Sequence, residues 1–271
     1  MPGDLMHVRL RFQFCRLALL LPVTHAVAQI GAAPAPATQS ASVLTFDGGT
    51  RQTLESIFIP PLAHAPFSLT LETEWVRPLA NGGTYTLANK RQIMRDSAGR
   101  IYQERWLLIP KNSKMESKMN YIQISDPAAH TLYNCETATN QCYLLRYSGS
   151  TDAAYLPALV KPGPLPDGSG FTTHENLGGN TVNGFDTVGY RDTTTLNPGA
   201  FGNDQPMVTI REFWYSKELG INLLSTLDSP TVGKEQFTAT NVNTSEPDRR
   251  YFSVPENYTV IDERKTGPPA R

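Results

Sequence analysis

The chain has 271 residues, of which 39% are hydrophobic, and its 24 Lys and Arg residues nearly balance 25 Asp and Glu residues. The net charge of −1 supplies no strongly positive surface, which argues against nucleic acid as a partner. A chain of this length can bury a sizeable hydrophobic core, so the composition fits a globular protein.

The N-terminus has the layout of a secretory signal peptide. Arg9, Arg11 and Arg16 precede the apolar run Leu17 to Val23, and Ala26-Val27-Ala28 then provides a small-x-small cleavage site. A membrane anchor is the alternative, but the run is far shorter than the roughly 20 residues that span a bilayer. We predict a signal peptide over 1–28, cleavage after Ala28, no transmembrane anchor, and a periplasmic or secreted protein with net charge −3.

A spacer and a short helix are predicted next. Residues 29–48 are mostly Ala, Pro, Ser and Thr, a composition that buries too little apolar surface to fold, so we expect a flexible spacer. Between Thr50 and Ile59 the apolar residues recur at helical spacing, and two prolines follow. This pattern predicts a short amphipathic helix.

After this helix the apolar period changes to two, which is typical of strands buried on one face. Phe67 to Trp75 alternates apolar and polar residues, and Asp96 to Gly99 is a hairpin turn between the next two strands. Together with Phe67 to Trp75, the predicted strands are Thr84–Arg95, Arg100–Ile109, Tyr121–Ser125, Thr131–Cys135, Cys142–Tyr147, Phe185–Leu196, Met207–Tyr215, Ile221–Asp228, Glu235–Val242 and Tyr258–Ile261.

Short strands with tight turns predict an antiparallel meander in a mostly β domain over 49–262, with a disordered tail over 263–271. Ser148 to Gly170 is rich in Pro and Gly and interrupts the strands. It could link two domains or cover one. We favour a single strongly curved sheet of about eleven strands, a half-barrel with the short helix and this long loop as its cover.

Two cysteines remain after export, Cys135 and Cys142, and an oxidising compartment makes them disulfide partners. Closing so short a loop stabilises a fold by about 2.5 kcal/mol in the chain-entropy model. A redox-active pair is the alternative, but the spacing is not C-x-x-C. Two thiols without paired histidines also fall short of a zinc site.

Catalytic chemistry has little support in this sequence. His64, His130 and His174 lie in separate segments, and no nucleophile elbow, phosphate loop or dinucleotide fingerprint is present. We therefore predict no catalytic, metal or cofactor site. A hydrolase would need at least two residues from one set to converge in a cleft: Glu72, Glu104, Glu212 and His174. The alternative interpretation is that these carboxylates form cross-strand ion pairs on a solvated sheet face. Their partners would be Arg91, Arg95, Arg105 and Arg211.

Aromatic residues provide the candidate binding site. Trp75, Trp106 and Trp214 lie on predicted strands, and Trp214 is flanked by Phe213 and Tyr215. Such side chains lining a curved sheet could hold an apolar ligand. Alternatively they fill the core.

Several motifs resemble a family of uncharacterised secreted bacterial proteins and cover most of residues 65–262. They are Asp96-Ser97-Ala98-Gly99-Arg100, Ile124-Ser125-Asp126-Pro127, Leu177-Gly178, Val182-Asn183-Gly184, Pro198-Gly199 through Pro206, Glu212-Phe213-Trp214-Tyr215-Ser216, Pro247-Asp248, Phe252, Val254-Pro255 and Tyr258. More loosely, the pattern resembles the half-barrel of the periplasmic outer-membrane lipoprotein carriers and the related sigma-factor regulatory proteins.

This resemblance implies a curved antiparallel sheet whose hollow accepts acyl chains. The hypothesis is a non-enzymatic extracytoplasmic binding protein, with a lipid or another apolar ligand on the concave sheet face. The alternative is an envelope protein-interaction or sensing module without a small-molecule ligand, which binds its partner through a sheet edge or the polar sheet face.

Overall fold

The computed structural model describes residues 57–147 and 161–264, together with the backbone of residues 45–46 and 49–50. All of them belong to one compact unit, Ala41–Arg271. The predicted signal peptide lies outside the described residues. In the described part of the chain no helix is long and apolar enough to cross a membrane.

A sheet of fourteen strands dominates the described residues. Its members are β3 (Phe67–Pro78), β4 (Thr84–Arg95), β5 (Ile101–Trp106), β6 (Ile109–Pro110), β7 (Met119–Asp126), β8 (Thr131–Glu136), β9 (Gln141–Arg146), β10 (Gly163–Pro164), β11 (Gly170–Val182), β12 (Phe185–Leu196), β13 (Met207–Ser216), β14 (Ile221–Ser229), β15 (Gly233–Asn243) and β16 (Thr259–Asp262). Two short strands, β1 (Thr45–Phe46) and β2 (Gly49–Thr50), pair separately.

The sheet consists of two antiparallel meanders that meet where β15 pairs with β3. Its order is β10-β11-β12-β13-β14-β15-β3-β4-β5-β7-β8-β9-β16, with β6 on β4. The pairing of β16 with β9 is parallel, whereas the other neighbouring strands of this sheet are antiparallel. Strands β10 and β16 lie at the two edges, so the sheet is not closed.

Alternation along the strands defines two faces of the sheet. Phe67, Leu69 and Leu71 of β3 point to one side, which we call the inner face, and Glu72 and Glu74 point to the outer face. Residues paired directly across an antiparallel ladder share a face. The register of each ladder therefore assigns a face to the residues of every neighbouring strand.

The tip of the β11–β12 hairpin shows that the inner face is concave. Asn183 and Gly184 form its turn at φ 52° and 83°, values that suit an Asn-Gly hairpin. The Asn183 side chain donates to the backbone carbonyl of Ala239 on β15. Strands β13 and β14 separate β12 from β15, about 14 Å in a flat sheet. Contact over this distance requires the sheet to bend around its inner face.

The first hydrophobic core fills one end of the inner face. Its buried residues are Ile57, Ile59, Phe67, Leu69, Leu71, Ile93, Ile101, Leu219, Ile221, Leu223, Phe237 and Ala239. Arg95 is fully buried beside them and donates to the carbonyl oxygens of Pro60, Ala65 and Leu219 at 2.6–2.9 Å. These bonds attach residues 60–65 to the sheet. Burial lowers the pKa of Arg95 to about 10.

The second hydrophobic core lies on the outer face of β4, β5 and β7–β9. Its buried residues are Met94, Tyr102, Ile122, Ile124, Cys135, Cys142 and Phe252. A short 3₁₀ helix, Arg249–Phe252, and the following Val254 and Tyr258 cover it. The predicted disulfide is present here, because Cys135 and Cys142 face each other across β8 and β9 with their Cα atoms 3.9 Å apart.

The predicted N-terminal helix is not seen. Residues 51–56 lie outside the described residues, Thr50 ends β2, and residues 57–60 are irregular. Ile57 and Ile59 are buried while Phe58 is 44% exposed, so the segment alternates with a period of two and not with a helical period. Pro60 and Pro61 further restrict it to extended conformations.

All eleven predicted strand segments are strands, and the sheet gains three more, β6, β10 and β11. β11 was not predicted because its central residues, Glu175 to Asn180, are polar or glycine apart from Leu177 and lack an apolar period. The predicted covering loop falls partly outside the described residues, at 148–160. Its remainder contains the two-residue edge strand β10, which pairs with β11, and the turn that connects the two strands.

Candidate ligand-binding site

A pocket of about 330 Å³ opens on the inner face of β5, β7 and β8, beside residues 57–59. The lining residues are Ile57, Phe58, Ile59, Ile101, Gln103, Arg105, Gln123, Ser125, Leu132 and Tyr147. Its volume is at the lower end of the roughly 300–1,000 Å³ that small-molecule pockets occupy. The pocket adjoins the first core, since Ile57, Ile59 and Ile101 belong to both.

Strand alternation places a polarity gradient in this pocket. β5 sends Ile101, Gln103 and Arg105 to the inner face, and Tyr102 and Glu104 to the outer face. Four residues of strand separate Ile101 from Arg105, about 13 Å. The apolar end is extended by Leu132, and the polar end by Gln123. The pocket is therefore apolar at one end and cationic at the other.

Two arginines supply the positive charge. The Arg105 Nε donates to the side-chain oxygen of Gln123 at 2.7 Å. Arg91, 5% exposed on the neighbouring β4, donates to the Glu104 backbone carbonyl at 3.3 Å and lies near the Gln103 side chain. Burial, together with the charge of Arg105, lowers the pKa of Arg91 to about 9. Burial also lowers the pKa of Arg105. Both arginines remain positive at neutral pH.

Cross-strand ion pairing on a solvated face was predicted for four arginines, and this interpretation is wrong for three of them. Arg91, Arg95 and Arg105 lie on the inner face by register, whereas Glu104 lies on the outer face. There the Glu104 carboxylate accepts from the Gln92 backbone N–H and from the Trp106 indole. Because these groups occupy opposite faces, Glu104 forms no direct side-chain bridge to Arg105.

The three candidate tryptophans do not share one surface. Trp75 is buried on the inner face, donates to the Val232 carbonyl at 2.9 Å, and packs against the Arg77 guanidinium at 4.6 Å. Trp214 lies on the outer face, with its ring over Gly189 of β12. None of the three lines the inner pocket.

Trp106 lines a different pocket, of about 500 Å³, on the outer face of β3 and β4. Its polar walls include two ion pairs, Lys90 with Glu72 and Lys111 with Glu74, each at 2.6 Å. These pairs are largely exposed, so the pocket is an open, charge-neutral groove. Its lining also presents apolar surface to a ligand, from Trp106, Ile109 and Pro110.

The four candidate hydrolase residues are held apart by different partners. His174 lies on the inner face of β11, 2.6 Å from the Asp192 carboxylate. Glu212 lies on the outer face of β13 and binds Arg191. Glu72 and Glu104 are also on the outer face, bound to Lys90 and to Trp106 respectively.

The other two histidines occupy turns. His64 and His130 have φ angles of 60° and 53°, which are left-handed turn conformations. Within residues 57–147 and 161–264, no group of three or more His, Cys, Asp or Glu side chains is arranged to hold a metal ion.

The pocket residues Gln103, Arg105 and Gln123 were not selected from the sequence. The available signal was the alternation in β5, where Ile101, Gln103 and Arg105 share one face with the apolar inner residues. The sequence does not reveal that this face is the concave one, because the bend is recognised from contacts between residues far apart in the chain, such as Asn183 and Ala239.

No family model and no curated protein matches the chain. Among solved structures, an uncharacterised conserved protein from Thermus thermophilus is 9% identical, with 75% of this chain and 93% of that chain covered at a TM-score of 0.38. Pseudomonas aeruginosa MucB, in its complex with MucA, is 15% identical, with 73% and 58% covered at 0.36. Mycobacterium tuberculosis lipoprotein LppX is 10% identical, with 68% and 90% covered at 0.30. These structures share a loose fold-level resemblance with the chain, and nothing about its ligand follows from them.

Proposed function

We propose that this chain is a non-enzymatic extracytoplasmic binding protein that holds a lipid or another small molecule with an apolar part on its inner sheet face. The observation that carries the proposal is the inner pocket of about 330 Å³, whose walls include Phe58, Ile101 and Leu132. The site lies on rigid strands beside a packed core, which suits a preformed binding site.

Burial of apolar surface would supply the binding free energy. Each methylene transferred from water into such a pocket contributes about 0.8 kcal/mol, so an acyl chain gains affinity with every carbon it buries. Phe58 is 44% exposed at the pocket wall and would lose part of that exposure on binding. The predicted export signal and the disulfide both fit an oxidising compartment outside the cytoplasm.

Native mass spectrometry of protein purified without detergent from its own host tests this proposal. We expect a mass adduct that dissociates as a lipid or a similarly apolar molecule. A pocket-filling variant, Ser125→Phe, should lose the adduct, because Ser125 is buried in the pocket wall. The matched control Gln236→Phe places the same ring on the exposed outer face of β15 and should retain it. Adducts absent from wild type, or equally abundant in both variants, would contradict the proposal.

A second candidate function is docking of an envelope protein, and a cluster of exposed apolar residues favours it. Phe171 of β11 and Val208 of β13 both pair with Thr195 of β12, so the three share one outer row. Ile210 lies in the next row, and Phe201 in the preceding loop is 76% exposed. Such neighbouring exposed apolar groups are typical of interaction surfaces.

Site-specific photocrosslinking in the native envelope tests this second function. A benzophenone residue replacing Val208 should give one discrete protein adduct if the outer row docks a partner. The same residue replacing Arg146, which is exposed on β9, is the control position. A diffuse pattern at both positions would remove the candidate.

A further inference from the structure

We propose that the inner pocket selects amphiphiles with an anionic head group, and that Arg105, assisted by Arg91, binds the oxyanion while the tail follows Ile101 and Leu132. This inference rests on the proposed binding function and names the chemistry of its ligand. The shared chemistry is a carboxylate or phosphate oxyanion joined to an acyl or alkyl chain.

The hydrogen bonding of Arg105 is the first observation. Only its Nε has a side-chain acceptor, the Gln123 oxygen at 2.7 Å, and in the part of the chain that the structure describes no group accepts from its two Nη atoms. A partly buried guanidinium with unused donors loses hydration without compensation. A carboxylate or phosphate presents two oxygens at the spacing of this planar fork and would satisfy both Nη groups.

The charge balance around Arg105 is the second observation. Arg91 adds a second positive charge on the adjacent strand, and desolvation of the two depresses their pKa values. Glu104 is on the outer face of the sheet, and its charge offsets only part of the effect of burial and Arg105 on the pKa of Arg91. Glu136, an inner-face carboxylate two strands away in the same cross-strand row as Arg105, accepts from the Thr139 hydroxyl at 2.8 Å. Arg105 and Arg91 thus place two like charges at the polar end of the pocket, and an anion bound by Arg105 would reduce the repulsion between them.

The direction of the pocket is the third observation. From Arg105 the inner face passes Gln103 and reaches Ile101, and the apolar wall continues through Leu132, Phe58 and Ile59. A ligand with its head at Arg105 would have its first methylenes beside Gln103 and its tail beside the first core. The polarity gradient thus matches a head joined to a tail, and a free inorganic anion would leave the apolar wall unused.

Isothermal titration at neutral pH with four probes tests this inference. Laurate and dodecyl phosphate carry the head and the tail, dodecanol has the tail alone, and inorganic phosphate has the head alone. We expect laurate and dodecyl phosphate to bind at least tenfold more tightly than dodecanol or phosphate. Arg105→Gln should weaken laurate roughly tenfold to a hundredfold, as loss of charged hydrogen bonds does, and leave dodecanol unchanged.

Two further variants complete the experiment. Arg105→Lys keeps the charge without the planar fork, so its laurate affinity should fall between wild type and Arg105→Gln. The control Arg146→Gln removes one positive charge from an exposed site on β9 and should not alter laurate binding. Unchanged dodecanol affinity in Arg105→Gln also reports that the pocket remains folded.

The outcomes separate this inference from the function on which it rests. Equal affinities for laurate and dodecanol, or an unaltered laurate affinity in Arg105→Gln, would overturn the head-group assignment and leave apolar binding intact. If inorganic phosphate binds as tightly as dodecyl phosphate, the proposal that the ligand needs an apolar tail would be overturned. Failure of every dodecyl probe to bind would overturn the proposed function itself.

Discussion

The two halves of the sheet are stabilised from opposite sides. Where β14, β15 and β3 meet, the hydrophobic core lies on the inner face, and Leu71, Leu223 and Phe237 fill the concavity. Along β5, β7, β8 and β9 the core lies on the outer face, under the 3₁₀ helix and around the disulfide. Because the second half is held from outside, its inner face is free to form a pocket.

The two halves also differ in the partners of their charged side chains. On the far strands, Arg191 bridges the carboxylates of Glu175 and Glu212 on the outer face, and the His174 ring contacts the Asp192 carboxylate on the inner face. In the inner pocket, Arg105 has an amide partner and a neighbouring arginine instead. This difference is the basis for the proposal that Arg105 binds an anionic ligand.

The largest effect is expected at the inner core, from Arg95→Met. This change removes four hydrogen bonds and with them the arginine donors to the Ala65 and Leu219 carbonyls, while the Pro60 carbonyl keeps the Leu62 backbone N–H. We expect a loss of about 3–5 kcal/mol in the free energy of unfolding, measured by urea denaturation. Arg146→Met on the exposed end of β9 should change it by less than about 0.5 kcal/mol. A loss below 1 kcal/mol in Arg95→Met would mean that residues 60–65 are attached by other contacts.

At the outer core, replacing Cys135 and Cys142 together with Ser should cost about 2.5 kcal/mol of unfolding free energy. Because the disulfide lies on the face opposite the pocket, laurate affinity of the folded variant should remain at the wild-type value. Denaturation and titration of the same sample measure both quantities. A parallel loss of affinity would show that the two faces are coupled.

Gly189→Ala tests the outer packing of the far strands. A Cβ at Gly189 would lie 2.7 Å from the Trp214 ring, so the indole must move. We expect a loss of about 1–3 kcal/mol with a shift in tryptophan fluorescence. Gly179→Ala on the adjacent β11 is the matched control, since its nearest contact is the Thr187 carbonyl at 3.8 Å. Equal losses of unfolding free energy in the two variants would show that the packing of the Trp214 ring does not require a glycine at position 189.

The smallest effect is expected at the outer groove beside Trp106. Lys111→Ala breaks an exposed ion pair with Glu74, and such pairs contribute about 0–1 kcal/mol. We expect a small change in thermal stability that disappears at high salt, and no change in laurate binding. Weaker laurate binding in this variant would move the ligand site to the outer groove.

Much of this fold could be predicted from alternation, and its failures have physical causes. Thr84–Arg95 was predicted with the bounds observed, because turns delimit it at both ends. β11 was not predicted because its central residues have no apolar period, and that stretch is recognised as a strand only by its backbone pairing with β12. The disulfide could be predicted since the hairpin between its cysteines is local.

The candidate site was less predictable, because strand phase and sheet curvature are not local properties. Register shifts occur between Arg105 and Trp106 and between Trp214 and Tyr215, so counting residues along the chain does not give the face of a tryptophan. The placement of Arg105 on a concave surface depends on bending of the whole sheet. A sequence pattern of period two identifies two faces without telling which one is enclosed.

The central claim is that the ligand occupies the inner face of β5, β7 and β8, opposite the outer core. Methyl nuclear Overhauser effects between bound laurate and protein labelled at Ile and Leu methyl groups test it most directly. The inner residues Ile101 and Leu132 should contact the laurate tail, while Ile122 and Ile124, which point outward from β7, should show no contact. Contacts to Ile122 and Ile124 with none to Ile101 and Leu132 would contradict the account.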